Sequence, residues 1–388
     1  MSDERQSTQA KPKFRIVKEH VQGAAAMLLV GALATTALMI TPGVNLFGQM
    51  DEPENVDVIV AGTDMDLATR YTNFTVSDPK TNLLNLSTKT EKAFIKTPEQ
   101  GYIASKNHIQ GYAVHDRGDA GMFHIFSHEA QGTGFIYIAK GENGGAKIAR
   151  FNVPEGYHHP AGMQIIGDYL FVAAEKSGGG AVLMYDLTPV YNDSKAPDGP
   201  VTLVTTTGGS SASSVGITNV SKWNGVDGLR YVMAVHNYDK RTVDLYVSAP
   251  EATLAKANSD TFTHVKTIKH DNNSYDNMAL VSSPNNDVWM AGFRTSYSGS
   301  KAENQSYADI YQLVNGGSSN IAATINSVAQ KKFETKQGSP VGLFGVHFRW
   351  GVGLNIYENN KLRLNVSERD FGDGQGGGVD VNFFFNQS

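Results

Sequence analysis

Short runs of apolar residues, or of alternating apolar and polar residues, make up the chain from about residue 56 onward. The runs end at Gly, Asn, Asp or Pro, and no amphipathic segment extends over three helical turns. This pattern is typical of β-strands joined by tight turns rather than of helices. We therefore predict an all-β body.

The predicted strands come in groups of four. Between residues 162 and 207 the segments GMQIIG, YLFVAAE, GAVLMYDL and VTLVTTT follow one another, and a four-stranded meander is one blade of a β-propeller. The same unit recurs from Ile109 to Asn152, from Val215 to Lys269 and from Asn277 to Val328. A last group, GVGLNIY, LRLNVSE and VDVNFFF, has only three strands. We predict five blades, which begin near His108, His159, Ser214, Asp276 and Arg349.

The three-stranded last blade would leave an open sheet edge, whose backbone donors and acceptors need a partner. A segment that precedes the first blade can supply the missing strand and close the ring. We expect some part of residues 55 to 98 to pair there, and Val56 to Ala61 is the preferred segment. A sixth, irregular blade from residues 56 to 104, which also contain NLLNLST and KAFIKTP, is the alternative.

The N-terminal region has a different pattern. No charged residue occurs from Val21 to Val44, and about 20 apolar residues suffice for a transmembrane helix. Basic residues precede this run and acidic residues follow it, so the positive-inside rule predicts a cytoplasmic N-terminus. A signal peptide cleaved near Ala34 to Ala37 and a buried soluble helix are the alternatives.

These patterns predict four regions in the order tail, membrane anchor, linker and propeller. Their bounds are residues 1–20, 21–44, 45–55 and 56–388. The expected location is the bacterial inner membrane, with a single-pass anchor and with the propeller in the periplasm or outside the cell.

The amino-acid composition supports the β-rich fold and excludes several classes of function. The 40 glycines and the low charged fraction of 18% fit many strands and turns. The absence of cysteine excludes disulfides, thiolate nucleophiles, Cys-ligated zinc and covalently attached haem. A formal net charge of -5 disfavours nucleic acid as a partner.

One blade carries a family resemblance. Residues 163 to 189, MQIIGDYLFVAAEKSGGGAVLMYDLTP, resemble the repeats of bacterial extracytoplasmic propellers of the LVIVD and YncE-like kind. The resemblance implies a propeller fold and an extracytoplasmic compartment. Because those families are functionally mixed, it implies no activity.

Polar side chains recur at the predicted starts of the innermost strands, where they should converge on the mouth of the central channel. The candidates are His108, Gln110, His158, His159, Gln164, Asp276, Asn277, His347, Arg349 and Trp350. Imidazole and carboxylate groups arranged in a ring could bind a metal ion or a small polar ligand. Polar groups there also satisfy strand ends and channel waters, and this structural role is the preferred interpretation.

A second candidate is the Gly-rich loop SERDFGDGQGGGVD, where Asp370, Asp373 and Asp380 could hold calcium through oxygen ligands. The loop lacks the order of an EF-hand, and a solvated turn is the alternative reading.

Two functional classes remain open. The first, which we favour from the sequence, is a membrane-anchored binding or scaffold subunit of a membrane or envelope complex, with protein partners at the faces of the propeller. The second is an extracytoplasmic hydrolase or lyase with a His and carboxylate site at the channel mouth. No spacing singles out a catalytic pair among the carboxylates Asp119, Glu129, Asp276, Glu368 and Asp370.

Overall fold

The computed structural model describes most of the chain from residue 75 to residue 386. The described ranges are 75–88, 90–96, 107–130, 132–141, 146–206, 211–271, 274–296, 305–335, 346–358, 361–369, 371 and 378–386. The predicted tail, anchor and linker lie outside these ranges, so the anchor stays a prediction. Within the described ranges, no helix has the length and apolar character that crossing a membrane requires.

In the described part of the chain, two elements precede the first complete blade: helix α1 (Pro79–Leu84) and strand β1 (Glu91–Lys96). The Asp78 carboxylate accepts a hydrogen bond of 3.0 Å from the backbone N–H of Thr81, which caps the helix. Pro79 occupies the first turn, where a missing N–H costs nothing. This local sequence explains why a short helix interrupts an otherwise all-β chain.

The first two blades are regular antiparallel meanders. Blade 1 contains β2 (Ile109–Asp116), β3 (Met122–His128), β4 (Phe135–Lys140) and β5 (Ala146–Asn152). Blade 2 contains β6 (His159–Ile166), β7 (Tyr169–Lys176), β8 (Gly179–Asp186) and, after helix α2 (Thr188–Asp193), β9 (Val201–Thr206). Both blades agree with the segments predicted from the sequence.

Blades 3 and 4 share an irregular connection. Blade 3 contains β10 (Ser214–Trp223), β11 (Val226–Asn237), β12 (Thr242–Ser248) and β13 (Phe262–His270). Blade 4 contains β14 (Asn277–Ser282), β15 (Val288–Ser296), β16 (Gln305–Val314) and, after β17 (Thr324–Ile325), β18 (Ala329–Phe333). Strand β17 pairs in parallel with β13 of blade 3. The outer strand of blade 4 is therefore Ala329–Phe333, whereas the sequence pattern had placed it at residues 322 to 328.

Blade 5 closes the ring. Its strands β19 (Val352–Glu358), β20 (Lys361–Ser367) and β21 (Gly378–Phe385) are joined by β1, which pairs antiparallel with β21 and brings Phe94 opposite Asp380. Closure by a segment within residues 55 to 98 is confirmed. The preferred segment was wrong, because Glu91–Lys96 takes the edge that Val56 to Ala61 was expected to fill. Residues 56 to 61 lie outside the described ranges.

The inner strands form the wall of the channel, and neighbouring strands β2, β6, β10, β14 and β19 contact one another around the ring. Close approach requires glycine at some positions of this wall. A Cβ on Gly216 would lie 2.9 Å from the backbone nitrogen of Leu280, and one on Gly111 would lie 2.6 Å from the carbonyl oxygen of Ala161. Apolar side chains such as Ile217 and Phe171 fill the space between the blades and are fully buried.

The N-terminal segment also contacts strand ends in blades 4 and 5. Thr75 bridges Ser282, the last residue of β14, and the two hydroxyl oxygens lie 2.8 Å apart. Leu86 bridges Asn386, next to β21. One helix and one strand occupy the described part of residues 56 to 104, so that part is a clasp across blades 4 and 5 and not a sixth blade.

Candidate functional site

The inner strands of blades 1 to 4 begin at one end of the channel, and the residues that open them converge there. They surround a cavity of about 460 Å³. The cavity is lined by His108, Gln110, Glu129, His159, Glu175, Ser211, Ser213, Tyr238, Asp239, Asp276 and Arg349. Five of the ten side chains predicted from the sequence are thus brought together.

A histidine–carboxylate pair opens blade 1. The register of β2 and β3 sets Ile109 opposite His128, which places His108 opposite Glu129. His108 Nδ1 lies 3.0 Å from Glu129 Oε2, and the side-chain amide of Gln110 contacts the other ring nitrogen. Burial alone would raise the pKa of Glu129, but the hydrogen bond from His108 and the charge of His159 outweigh it and lower that pKa below 4.5. Glu129 is therefore ionised at neutral pH.

The same arrangement opens blade 2. His159 and Glu175 are direct register partners on β6 and β7, and His159 Nδ1 lies 2.7 Å from Glu175 Oε2. Burial disfavours the charged ring, but the hydrogen bond and charge of Glu175 outweigh it, so the pKa of His159 is raised above 6.5. The Glu175 carboxylate also orients the His159 ring through Nδ1, so that Nε2 is the ring nitrogen that could contact a ligand.

Asp276 opens blade 4 and lines the same cavity as the two histidine–carboxylate pairs. Burial raises the pKa of Asp276 to about 7, although the positive charges of Arg349 and His159 favour its ionised form. A carboxyl group in this state is populated both with and without its proton near neutral pH. Together with Glu129, it gives the cavity two carboxyl groups whose pKa values are shifted in opposite directions.

Two other predicted residues hold the inner strands together. The side-chain oxygen of Gln164 accepts hydrogen bonds of 3.0 Å from the backbone N–H groups of both Ile217 and Leu280. Asn277 Nδ2 donates to the carbonyl of Trp350 at 2.8 Å, which joins blade 4 to blade 5. Gln164 and Asn277 therefore have the structural role that is one of the two interpretations of the polar residues at the channel mouth.

The remaining candidates flank the cavity. The Trp350 ring packs edge-on against the ring of His108, with centroids 4.9 Å apart, and the Arg349 guanidinium lies 5.0 Å from the Trp350 centroid. His347 is buried, and its carbonyl accepts a hydrogen bond of 3.1 Å from the N–H of Trp350. His158 is exposed and lines a neighbouring cavity.

The predicted calcium loop is only partly described. Asp370 and Asp373 lie outside the described residues, so their role stays a prediction. The Asp380 carboxylate lies 3.3 Å from Lys92 Nζ, an ion pair across the seam between β1 and β21. In the described part of the chain, no group of three or more His, Asp or Glu side chains is arranged to hold a metal ion.

Several lining residues were not found from the sequence. Glu175 lies near the end of an apolar strand, and counting outward from the β6–β7 turn would have set it opposite Pro160. The register shift between Pro160 and Met163 brings it opposite His159 instead. Ser211, Tyr238 and Asp239 come from loops of blade 3 and carry no pattern of their own. Only the fold brings them to the channel mouth.

The fold and site define a five-bladed β-propeller with a polar acid–base cavity at one mouth of its channel. No known protein family matches the chain, and no curated protein matches it. The likeness to LVIVD and YncE-like propellers therefore extends to the fold alone.

Solved structures supply distant likenesses. The chain is similar to an α-L-arabinofuranosidase from Lactobacillus brevis, with 12% sequence identity, a TM-score of 0.40, and coverage of 72% of this chain and 91% of the other. It is also similar to a PQQ-bound aldose sugar dehydrogenase from Streptomyces coelicolor, with 12% identity, a TM-score of 0.29, and coverage of 77% and 99%. A third likeness, to the polysaccharide lyase Uly1, has 10% identity, a TM-score of 0.27, and coverage of 71% and 77%. Likenesses at this level say nothing about activity.

Proposed function

We propose that the protein is a hydrolase or lyase that binds a small polar substrate at the mouth of the propeller channel. The observation that carries the proposal is one cavity that holds Asp276, with its pKa near neutrality, beside two histidine–carboxylate pairs. Titratable groups whose environments drive their pKa values apart mark acid and base roles.

In this proposal Asp276 is the general acid. A group with a pKa of about 7 holds its proton in a large fraction of molecules at neutral pH and releases it readily. Glu129, ionised by its contact with His108, is the general base. Arg349 and His159, whose pKa is raised, line the same cavity, and their positively charged forms would stabilise negative charge that develops on the substrate.

A scaffold role finds less support. A large contiguous exposed apolar patch marks many docking faces for protein partners. In the described ranges, the exposed large hydrophobic residues are Val226, Tyr238 and Val328, and Tyr238 belongs to the cavity. A partner protein in the membrane or envelope stays a prediction from the sequence.

The proposed location is extracytoplasmic. It rests on the uncharged run from Val21 to Val44, with basic residues before it and acidic residues after it. In this arrangement the propeller would meet substrates of the periplasm or the cell surface.

The activity is tested with the purified full chain on nitrophenyl glycosides, esters and phosphates, and on uronic acid polymers for elimination. We expect turnover of one class, and Asp276→Asn should lower kcat/KM by roughly 10²- to 10⁴-fold, the usual contribution of general acid–base catalysis. Asp260→Asn, an exposed carboxylate outside the cavity, is the matched control and should leave the rate unchanged. Full activity of Asp276→Asn, or no turnover of any class by the wild type, would contradict the proposal.

A further inference from the structure

A second cavity of about 470 Å³ adjoins the one at the channel mouth. It is lined by His158, Glu175, Lys176, Ser177, Gly178, Gly179, Ser211 and Asp239. Glu175, Ser211 and Asp239 line both cavities, so the two volumes meet along these three residues. We name the first volume the inner cavity and the second the outer cavity.

The outer cavity lies over the turn between β7 and β8. Gly178 adopts a φ of +82° in this turn, and a Cβ built on it would meet nothing within 4 Å. The turn therefore exposes backbone groups with open space above them, which lets a ligand approach the main chain closely. Lys176 Nζ lies 4.8 Å from the centroid of the Tyr157 ring, a cation–π contact that gives the lysine a preferred position at the rim.

Both cavities are polar. In the described chain, no alanine, valine, leucine, isoleucine or methionine lines either cavity. Tyr238 is the one tyrosine among the lining residues, and it is 44% exposed. Peptide ligands usually need apolar pockets or an open strand edge. A nucleic acid needs a basic surface, whereas these cavities share the carboxylates Glu175 and Asp239.

We propose that the two cavities are adjoining subsites for an oligosaccharide of at least two units. Sugar hydroxyls would bind the carboxylates, the serines and the exposed backbone, and a sugar face would pack on the ring of Tyr238. The inner unit occupies the channel mouth, the outer unit lies over Gly178, and the linkage passes Glu175. This inference rests on the proposed function, for which it names the substrate class.

Each cavity alone falls in the range of about 300 to 1,000 Å³ in which proteins hold small ligands. A substrate of one unit would need the inner cavity only. The continuity of the second cavity with the first is therefore the observation that favours a chain over a single unit.

Ser177→Trp tests the outer subsite. Ser177 is exposed in the β7–β8 turn and lines the outer cavity but not the inner one, so an indole there should obstruct the outer cavity. Ser319→Trp makes the same exchange at an exposed loop position outside both cavities and is the matched control. Melting temperatures of both variants should equal that of the parent protein.

Binding is measured by calorimetry on the Asp276→Asn background, in which turnover should be slow. The probes are mono-, di- and trisaccharides of the glucose, N-acetylglucosamine and galacturonate series. In at least one series, we expect the disaccharide to bind about tenfold or more tightly than the monosaccharide. Ser177→Trp should abolish this gain and leave the monosaccharide affinity unchanged, whereas Ser319→Trp should preserve the gain.

Equal affinity for mono- and disaccharides in every series, no binding in any series, or an unaltered length dependence in Ser177→Trp would overturn the inference. Its failure is distinguishable from failure of the proposed function. Turnover of esters or phosphates that is lost in Asp276→Asn, without sugar binding, leaves an enzyme with another substrate. Length-dependent sugar binding without any turnover leaves a binding protein with two subsites.

Discussion

Asp276 and Glu129 line one cavity, yet their immediate surroundings shift their pKa values in opposite directions. Glu129 accepts a hydrogen bond from His108, whereas for Asp276 burial outweighs the nearby positive charges. The two carboxyl groups therefore differ in pKa because of their surroundings in the fold, and not because of their residue type.

The raised pKa of Asp276 predicts a pH-dependent stability. A folded-state pKa of about 7 exceeds the ordinary value of 3.8, so between about pH 4 and pH 7 the folded protein retains a proton that the unfolded chain has lost. The stability contributed by the protonated carboxyl is complete below pH 4 and is lost as the pH rises through 7. Asn resembles the neutral acid, so Asp276→Asn should raise the free energy of unfolding at pH 8, where about 1.4 kcal/mol corresponds to each pKa unit.

The measurement is urea unfolding of both proteins at pH 4 and pH 8. The stability difference should be near zero at pH 4 and should favour Asp276→Asn at pH 8, by a few kcal/mol at most. Asp260→Asn serves again as the exposed control. A difference of the same size at both pH values would contradict a raised pKa.

Sequence patterns identified the residues that open the blades better than they identified their roles. His108, His159, Asp276 and Arg349 reach the cavity, because a polar residue before an apolar inner strand lies at the strand end. Gln164 satisfied a similar criterion, yet its side chain binds two neighbouring inner strands. Polarity alone cannot separate these outcomes, since the direction of a side chain depends on local bulges and register.

At the scale of elements, the closing strand is the most informative error. Val56 to Ala61 has the stronger β-forming composition, but Glu91–Lys96 pairs with β21. Strand propensity is weak compared with the fit of a strand to its partner. Here the fit includes the fully buried Ile95 and the ion pair between Lys92 and Asp380.

Two truncations test the clasp. Removing residues 1–98 deletes β1 and the buried side chains of Leu83, Leu86 and Ile95, so it should lower the free energy of unfolding by several kcal/mol. Removing residues 1–45 deletes the predicted anchor and leaves the clasp intact, so the propeller should melt as in the full chain. Thermal unfolding followed by circular dichroism compares the two. Equal melting temperatures would show that β1 is dispensable.

At the scale of the molecule, the five-bladed ring was predictable because the period of four strands is visible in the sequence of each blade. The pairing of β17 with β13 of blade 3 was not predictable, because a strand of two residues leaves no pattern in the sequence. The resemblance of one blade to known propellers added the fold but could not locate a site, since site residues come from strand ends and loops of different blades.

The predicted membrane anchor has a direct test at this scale. The full chain should remain in the membrane fraction after washing with high salt and should be released by detergent, whereas a chain without residues 1–45 should be released without detergent. A reporter enzyme active only outside the cytoplasm, fused after Ser388, should be active. A full chain that stays in the cytoplasmic fraction would contradict the anchor.

The clasp also has a consequence for synthesis. Strand β1 leaves the ribosome before every blade, while its partner β21 leaves last. Blades 1 to 4 are meanders of neighbouring strands, which can pair as translation proceeds. Until translation reaches the end of β21, however, β1 has no edge to join. Translation of an mRNA that is truncated before β21 therefore yields a chain with unpaired strands. Such a product aggregates or is degraded.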